Sequence, residues 1–134
     1  MIDDTNGVIY GNWNKDLDLW ESLAPHVKSF GFTGKGMSAS IVSMGAEVTG
    51  KNAKLNQPHS HSNEQLTVCL EGKATVIIND IRYPVKKGSY WLAPPDVPHT
   101  LDTSDSDGPV TILQLFAPAR STDALKKIVD QTDQ

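Results

Sequence analysis

The sequence predicts an all-β domain built from short antiparallel strands. Turn dipeptides divide the middle of the chain at intervals of roughly eight residues: Glu71-Gly72, Asn79-Asp80 and Lys87-Gly88. The runs near 65–70, 73–78, 81–86 and 89–93 contain many β-branched, aromatic and other apolar residues. This pattern is typical of a β-sandwich or barrel, and a length of 134 residues suits one compact domain.

The first part of the chain predicts one short helix followed by a strand. In "KDLDLWESLAP", residues 15–25, Leu17, Trp20 and either Leu23 or Ala24 have helical spacing, and Pro25 would end the helix. Residues 38–48 are β-branched or small, as in a strand. The following "TGKNAKLNQP" is a polar loop that leads to a pair of histidines.

The last third of the chain predicts a stiff corner, a turn, a strand and a helix. "LAPPDVPHT" is a proline-rich corner, and "LDTSDSDGP" is typical of an exposed turn. Residues 110–116, "VTILQLF", form the last predicted strand. "STDALKKIVD" predicts a C-terminal helix capped by Ser121 or Thr122.

The net charge, the first residues and the single cysteine indicate which partners and which cellular compartment we expect. A formal net charge of −4 argues against nucleic acid or an anionic membrane as partner, because both bind a concentrated basic surface. A small soluble molecule is favoured instead. The start, "MIDDTNG", does not resemble a secretory signal, and the single cysteine, Cys69, suits a reducing compartment, so we expect a cytoplasmic protein.

Two of the four histidines, His59 and His61, are separated by one residue. Residues i and i+2 of a strand point to one face, as two ligands of one metal ion must. Taken alone, the pair is equally consistent with two surface histidines. Gln65, four residues further along, and His99, in the proline-rich corner, strengthen the metal hypothesis, whereas His26 is interpreted as a surface residue.

These residues resemble the two motifs of the cupin superfamily. The first runs from His59 and His61 through Gln65 to Gly72, and the second from Gly88 through Pro94 to His99. The resemblance covers about residues 36–120. It implies a double-stranded β-helix, or jelly-roll barrel, over 36–120, with an N-terminal extension (1–35) whose short helix packs on the barrel and a C-terminal helix (121–134). It also implies a homodimer, which agrees with the open edge strands of such a barrel.

The resemblance implies one divalent metal ion, Mn, Fe, Co, Ni or Zn, held by His59, His61, Gln65 and His99. The family's usual glutamate is Gln65 here, and Glu64 is its neighbour. The spacing to Gly72 predicts that Gln65 faces the metal, although a one-residue bulge would exchange the two. Three imidazoles and an amide leave the ion its full charge, which favours Lewis-acid chemistry.

Several further residues are predicted to border the site and bind substrate. Gln114 and Phe116 share one face of the last strand, and the Arg120 guanidinium can bind a carboxylate through two parallel hydrogen bonds. The tail resembles that of small cupins that open the ring of unsaturated uronates, in which an aspartate takes the place of Gln114. Tyr90 and Thr67 are also predicted to line the site; Trp91 and Cys69 are candidates for which core packing is favoured.

Three functions remain open from the sequence. The first is an isomerase, ring-opening enzyme or lyase that acts on an oxygenated small molecule such as a sugar acid. The second is an iron dioxygenase. The third is a metabolite-binding or sensing barrel without turnover, which also leaves it open whether the protein is an enzyme.

Overall fold

Strands dominate the computed structural model, which describes residues 2–3 and 7–120. These residues contain eleven strands: β1 (Ile2–Asp3), β2 (Ile9–Tyr10), β3 (Glu21–Ala24), β4 (Val27–Thr33), β5 (Ser38–Met44), β6 (Glu64–Glu71), β7 (Lys73–Ile78), β8 (Ile81–Lys86), β9 (Tyr90–Ala93), β10 (His99–Asp102) and β11 (Val110–Ala117). Short 3-10 helices cover Leu17–Leu19, Ala46–Val48 and Gly50–Asn52. The predicted C-terminal helix, 121–134, lies outside the described residues.

The predicted strands between the turn dipeptides are confirmed as β6 to β9. The hairpin between β7 and β8 turns at Asn79 and Asp80, whose φ angles are 51° and 66°. Positive φ at both central residues is the conformation whose twist matches that of the flanking strands. Gly72 and Gly88, with φ angles of 84° and 91°, allow the turns that follow β6 and precede β9.

The strands form two main antiparallel sheets. Their orders are β3-β4-β5-β11-β6-β9 and β10-β7-β8, and β1 pairs with β2 in a separate ribbon. Buried side chains of both large sheets form the core between them, in one cluster around Val42 and Ile112 and another around Val76 and Val85. Trp91 and Leu101 pack against both clusters. This double-sheet arrangement confirms the predicted jelly-roll barrel.

The segment before residue 36 contributes directly to the six-stranded sheet. The predicted short helix is a single 3-10 turn, Leu17–Leu19, and the rest of that stretch is β3, which pairs with β4. Trp20 packs 5.9 Å from Phe30, measured between ring centroids, on the outward face of β4. Leu23 is buried and lies on strand β3. The helical spacing of Leu17, Trp20 and Leu23 therefore did not indicate a helix in this short stretch.

The six-stranded sheet has two edge strands and exposed apolar residues on its outward face, which are the features relevant to the predicted homodimer. β3 and β9 are its edge strands, and Leu66, Leu92 and Tyr90 are exposed on the outward face beside or on β9. The homodimer stays a prediction. No helix among the described residues is both long enough and apolar enough to cross a lipid bilayer.

An ion pair ties β10, the strand that begins with His99, to β8. Arg82 donates to the Asp102 carboxylate over 2.6 Å, and the Ser104 amide donates to its other oxygen over 2.9 Å. Burial alone would raise the pKa of Asp102, but the hydrogen bonds from Ser104 and the Arg82 charge outweigh it and lower the pKa.

We expect Asp102→Asn to lower the free energy of unfolding by about 1–2 kcal/mol at pH 7. Because the folded pKa lies below the ordinary value of 3.8, the carboxylate contributes its full stabilisation above that value and loses it as the pH falls through the folded pKa. Urea unfolding at pH 7 and pH 3 should therefore show a smaller difference between the two proteins at pH 3. The exposed Asp107→Asn is the control and should change stability little at either pH.

Candidate metal centre

The two histidine motifs meet through a short backbone bridge. The His59 amide donates to the His99 carbonyl over 3.0 Å, and the His99 amide donates back over 2.9 Å. His59 lies in the loop before β6, and His99 begins β10. The bridge therefore places the loop that carries His59 and His61 beside the three-stranded sheet.

The three imidazoles converge. Their ring centroids lie 4.5 Å (His59 to His99), 4.9 Å (His61 to His99) and 5.7 Å (His59 to His61) apart. One ring nitrogen of each lies within 4.8 Å of the others. These separations suit three ligands of one ion.

Backbone carbonyls orient two of the rings. His61 Nδ1 lies 2.9 Å from the Asn63 carbonyl oxygen, and His99 Nδ1 lies 2.9 Å from that of Val97. Since a carbonyl oxygen only accepts hydrogen bonds, each Nδ1 carries a hydrogen and donates it. A neutral ring of this tautomer presents an unprotonated Nε2 with a free lone pair to the centre of the site.

Gln65, and not Glu64, is the fourth polar side chain that lies against the three histidines. Gln65 is 5% exposed, and its Oε1 lies 3.2 Å from His61 Nε2 and 3.0 Å from His99 Nε2. Its amide nitrogen donates to Thr67 Oγ1 over 3.1 Å, which holds the oxygen toward the histidines. Glu64 is exposed on the other side of β6. The strand alternation predicted this orientation of Gln65.

Burial keeps the histidines neutral. For His59 burial is the largest cause, followed by the charges of His99 and Arg120, and together they lower its pKa to about 3. Burial is also the largest cause of the lowered pKa values of His61 and His99. All three rings are therefore neutral at pH 7, which is the form that binds metal.

The residues present fit a divalent cation. Two Nε2 lone pairs and an amide oxygen face one another at hydrogen-bond distance, and neutral rings of this tautomer have no hydrogen to share among them. His59 Nδ1 is buried and, within the described part of the chain, has no hydrogen-bond partner. A cation held by His59, His61, Gln65 and His99 would satisfy this cluster of acceptors.

A cavity of about 440 Å³ opens beside these side chains, between the two sheets. It is lined by four of the predicted substrate-binding residues: Thr67, Gln114, Phe116 and Arg120. None of the described residues that line it is acidic. The cationic side chains of its lining are those of Lys54 and Arg120, in a chain whose net charge is −4.

Arg120 is held near the histidines by several contacts. Its guanidinium carbon lies 5.5 Å from the centroid of the Phe116 ring, which in turn lies 5.8 Å from the His61 ring. The Arg120 amide donates to Ser38 Oγ over 2.8 Å. Asn63, two residues after His61, donates its side-chain amide to the Pro118 and Ala119 carbonyls. The residues around His61 and Arg120 are thus fixed together.

Tyr90 is the one predicted lining residue that the structure does not place in the cavity. It is 77% exposed and pairs with Val68 on the outward face of the sheet. Trp91 faces the cavity instead, because it pairs with Thr67, which points inward. Cys69 is buried beneath the inward face, and burial raises the pKa of its thiol, as expected for an inert core residue.

Three polar residues of one loop line the cavity and were not predicted from the sequence. Asn52, Lys54 and Asn56 belong to the polar loop between β5 and β6 and lie at the cavity wall. A loop has no periodicity that would reveal the direction of its side chains. Their only signal was proximity in sequence to His59.

Comparison with known proteins identifies the family. A family model described as a cupin domain matches residues 48–116, which is more than half of the chain. No curated protein matches the sequence.

Solved structures share the fold at low sequence identity. KdgF from Halomonas sp. is similar with a TM-score of 0.68 at 19% identity, over 87% of this chain and 98% of that chain. An RmlC-like cupin from Shewanella frigidimarina NCIMB 400 gives 0.64 at 18%, over 78% and 86%. The DMSP lyases RdDddP and RnDddQII give 0.55 at 18%, over 68% and 47%.

At 18–19% identity, the similarity to these solved structures shows the fold alone. The family match, in contrast, spans the segment that carries both histidine motifs. The structure adds that these motifs meet at one point, inside a barrel of two antiparallel sheets. The chain belongs to the cupin domain family.

Proposed function

We propose that the protein is a metal-dependent enzyme that binds an oxygenated carboxylate, such as a sugar acid, and catalyses an isomerisation, ring opening or lyase step. The observation that carries the proposal is the convergence of His61 Nε2, His99 Nε2 and the Gln65 amide oxygen. The DMSP lyases among the structures of similar fold agree with lyase chemistry.

The neutral ligand set favours Lewis-acid chemistry. A divalent ion held by three imidazoles and an amide keeps its full charge, and when bound it would polarise a carbonyl or stabilise an enolate. The residues admit Mn, Fe, Co, Ni or Zn, which all accept imidazole ligands. The chain's own contribution is to bind and orient the substrate beside them.

Arg120 and Phe116 supply the binding of the carboxylate. Within the described residues no carboxylate forms an ion pair with Arg120, although the guanidinium is close enough to lower the pKa of His59. The fork of a guanidinium matches the two oxygens of a carboxylate. Phe116 supports the guanidinium from one side, which limits the directions in which it can donate.

Gln114 restricts the proton transfers that the cavity can support. Its side chain faces the cavity, and its Oε1 accepts from Ser40 Oγ over 3.3 Å. An amide does not exchange a proton as a carboxylate does. Steps in which the substrate's own groups or bound solvent carry the proton are therefore favoured over those that need a carboxylate base here.

Metal analysis of the purified protein, followed by turnover assays, tests the proposal. We expect about one divalent ion per chain and turnover of an unsaturated uronate or another hydroxy acid without oxygen consumption. Oxygen consumption by the iron-loaded protein would identify a dioxygenase instead. Tight binding without turnover under any metal would identify a sensing or binding barrel, and a protein that takes up no metal would refute the proposal.

Arg120→Gln should weaken the binding of galacturonate by roughly 10- to 100-fold, because a charge-assisted pair of hydrogen bonds is lost. Calorimetric titration of the metal-loaded protein with galacturonate and with its uncharged methyl ester measures the effect. The wild type should prefer the acid, and the variant should bind both about equally.

Metal content serves as the control for Arg120→Gln. Arg120 is not among the four ligands, so the variant should hold at least as much metal as the wild type. Arg82→Gln, which removes a guanidinium outside the cavity, should keep the preference for the acid. If Arg120→Gln prefers galacturonate as strongly as the wild type does, the carboxylate lies elsewhere.

A further inference from the structure

The inward faces of the two sheets change from polar to apolar with distance from the histidines. On the inward face of the six-stranded sheet, strand register defines successive rows of facing side chains. The row at the metal centre contains Ser38, Phe116 and Gln65, and the next contains Ser40, Gln114 and Thr67. The third row contains Val42, Ile112 and Cys69, which are all apolar. Two residues of a strand span about 7 Å, so the third row lies about 14 Å from the first.

The opposite sheet changes in the same direction. His99 pairs with Ile78 at the metal end of β10, and one row further along Leu101 pairs with Val76. Both Leu101 and Val76 line the cavity. The two sheets therefore face each other with polar groups at one end and with aliphatic groups beyond it.

The aliphatic walls do not close against each other. The two core clusters are separate, and only Trp91 and Leu101 pack against both. Val27, Met44, Trp91 and Leu101 are only partly buried, and all four line the cavity. Apolar side chains that remain apart around a space of about 440 Å³ are suited to an apolar ligand group.

From this gradient we infer that the substrate is a carboxylate whose oxygen-rich head meets the histidines and Arg120 and whose apolar tail lies between Val42, Ile112 and Leu101. The inference rests on the proposed function for the head, and among oxygenated carboxylates it favours those with an apolar tail over sugar acids. A sugar acid carries hydroxyl groups along its whole length, and those that face Val42, Ile112 and Leu101 would lose their water without gaining partners on these side chains. An alkyl or aryl tail would fill the same space favourably.

A homologous series of 2-oxo acids tests the inference: pyruvate, 2-oxobutanoate, 2-oxohexanoate and 2-oxooctanoate. All share one head, so their dissociation constants differ only through the tail. We expect affinity for the Zn²⁺-loaded protein to rise about fourfold per methylene, until the apolar rows are filled. Equal affinity along the series, or tighter binding of galacturonate than of 2-oxooctanoate, would overturn the inference.

Titrations of the metal-free protein separate this inference from the proposed function. The metal should strengthen the binding of every member by one common factor, whereas the tail sets the rise along the series. A series whose affinities rise with tail length but are the same with and without metal leaves the tail site intact and refutes the metal's role. A series whose affinities increase with metal but do not change with tail length supports the metal's role and refutes the tail site.

Val42→Thr places a hydroxyl of nearly the same shape in the third row. We expect affinity for 2-oxooctanoate to fall about fivefold and affinity for pyruvate to stay unchanged. Ile41→Thr is the matched control, because Ile41 is the adjacent residue of β5 and pairs with Phe30 on the outward face. It should leave both affinities unchanged. An equal loss for both ligands in Val42→Thr would contradict the position assigned to the tail.

Discussion

His99→Ala is expected to lower the affinity of the protein for a divalent ion by on the order of a hundredfold or more. The substitution removes one of the three imidazoles and also one of the two histidine contacts of the Gln65 oxygen. His59 and His61 alone form a pair that binds metal weakly. Elemental analysis after loading with Zn²⁺ and desalting should find about one ion per chain in the wild type and almost none in the variant.

The fold should survive this change. The bridge between the two motifs uses the backbone of His59 and His99, not the His99 ring, so both of its hydrogen bonds remain. Removing one of several mutually facing acceptors also relieves repulsion in the metal-free protein. We therefore expect an unchanged far-ultraviolet circular dichroism spectrum and a cooperative thermal transition.

His26→Ala is the matched control for the loss of a histidine. His26 is an exposed residue of the turn between β3 and β4, and its Nδ1 lies 2.8 Å from Glu47. It is outside the cluster of three histidines, so metal content should equal that of the wild type. Full metal occupancy in both His99→Ala and His59→Ala would contradict the metal centre.

The orientation of Gln65 could be predicted because it depends only on local strand geometry. The spacing from Gln65 to Gly72 sets which residues of β6 point inward, provided that no bulge intervenes. The structure has one register shift between β11 and β6, at Thr111 and Ile112, which are opposite Glu71 and Cys69. The shift lies between Gln65 and Gly72, so the number of residues to Gly72 does not by itself fix the orientation of Gln65; the regular pairing of Gln65 with Phe116 and Ala93 does. Near the metal centre the alternation is regular.

Other features depend on which strands pair, and the sequence does not contain that information in a local pattern. Tyr90 and Trp91 are neighbours with similar composition around them, and only the pairing of β9 with β6 decides that Trp91 faces inward. The stretch containing Leu17, Trp20 and Leu23 fits a helix equally well until β4 is available as a partner for β3. In both cases tertiary pairing outweighs local preference.

The cavity itself could not be predicted, because its size depends on how far apart the two sheets settle. The sequence shows apolar residues in both sheets, and apolar strands ordinarily imply a filled core. Here Leu101 and Trp91 span the gap, while Val42 and Val76 remain in separate clusters. The pairing register of the strands places polar side chains at the histidine end of the two sheets and aliphatic side chains beyond it.

Gly72→Ala is expected to lower the free energy of unfolding by about 3 kcal/mol or more and the melting temperature by more than about 10 °C. A Cβ at this position would lie 2.3 Å from the Pro109 carbonyl oxygen and 3.2 Å from Val110 Cα. Both are backbone atoms, so no side-chain rotation relieves the clash. The start of β11 would have to move, together with Val110, which is fully buried. Thermal and urea unfolding of the metal-free protein measure the loss.

Gly88→Ala separates the clash from the backbone strain. Gly88 has a φ angle of 91°, close to the 84° of Gly72, but a Cβ there would meet no atom within 4 Å. The variant should lose only the cost of a left-handed non-glycine residue, about 1 kcal/mol. If both variants lose the same amount, the packing of β11 against the end of β6 is looser than the structure indicates. A much larger loss in Gly72→Ala shows that the end of β6 can pack against the start of β11 only with a glycine at this position.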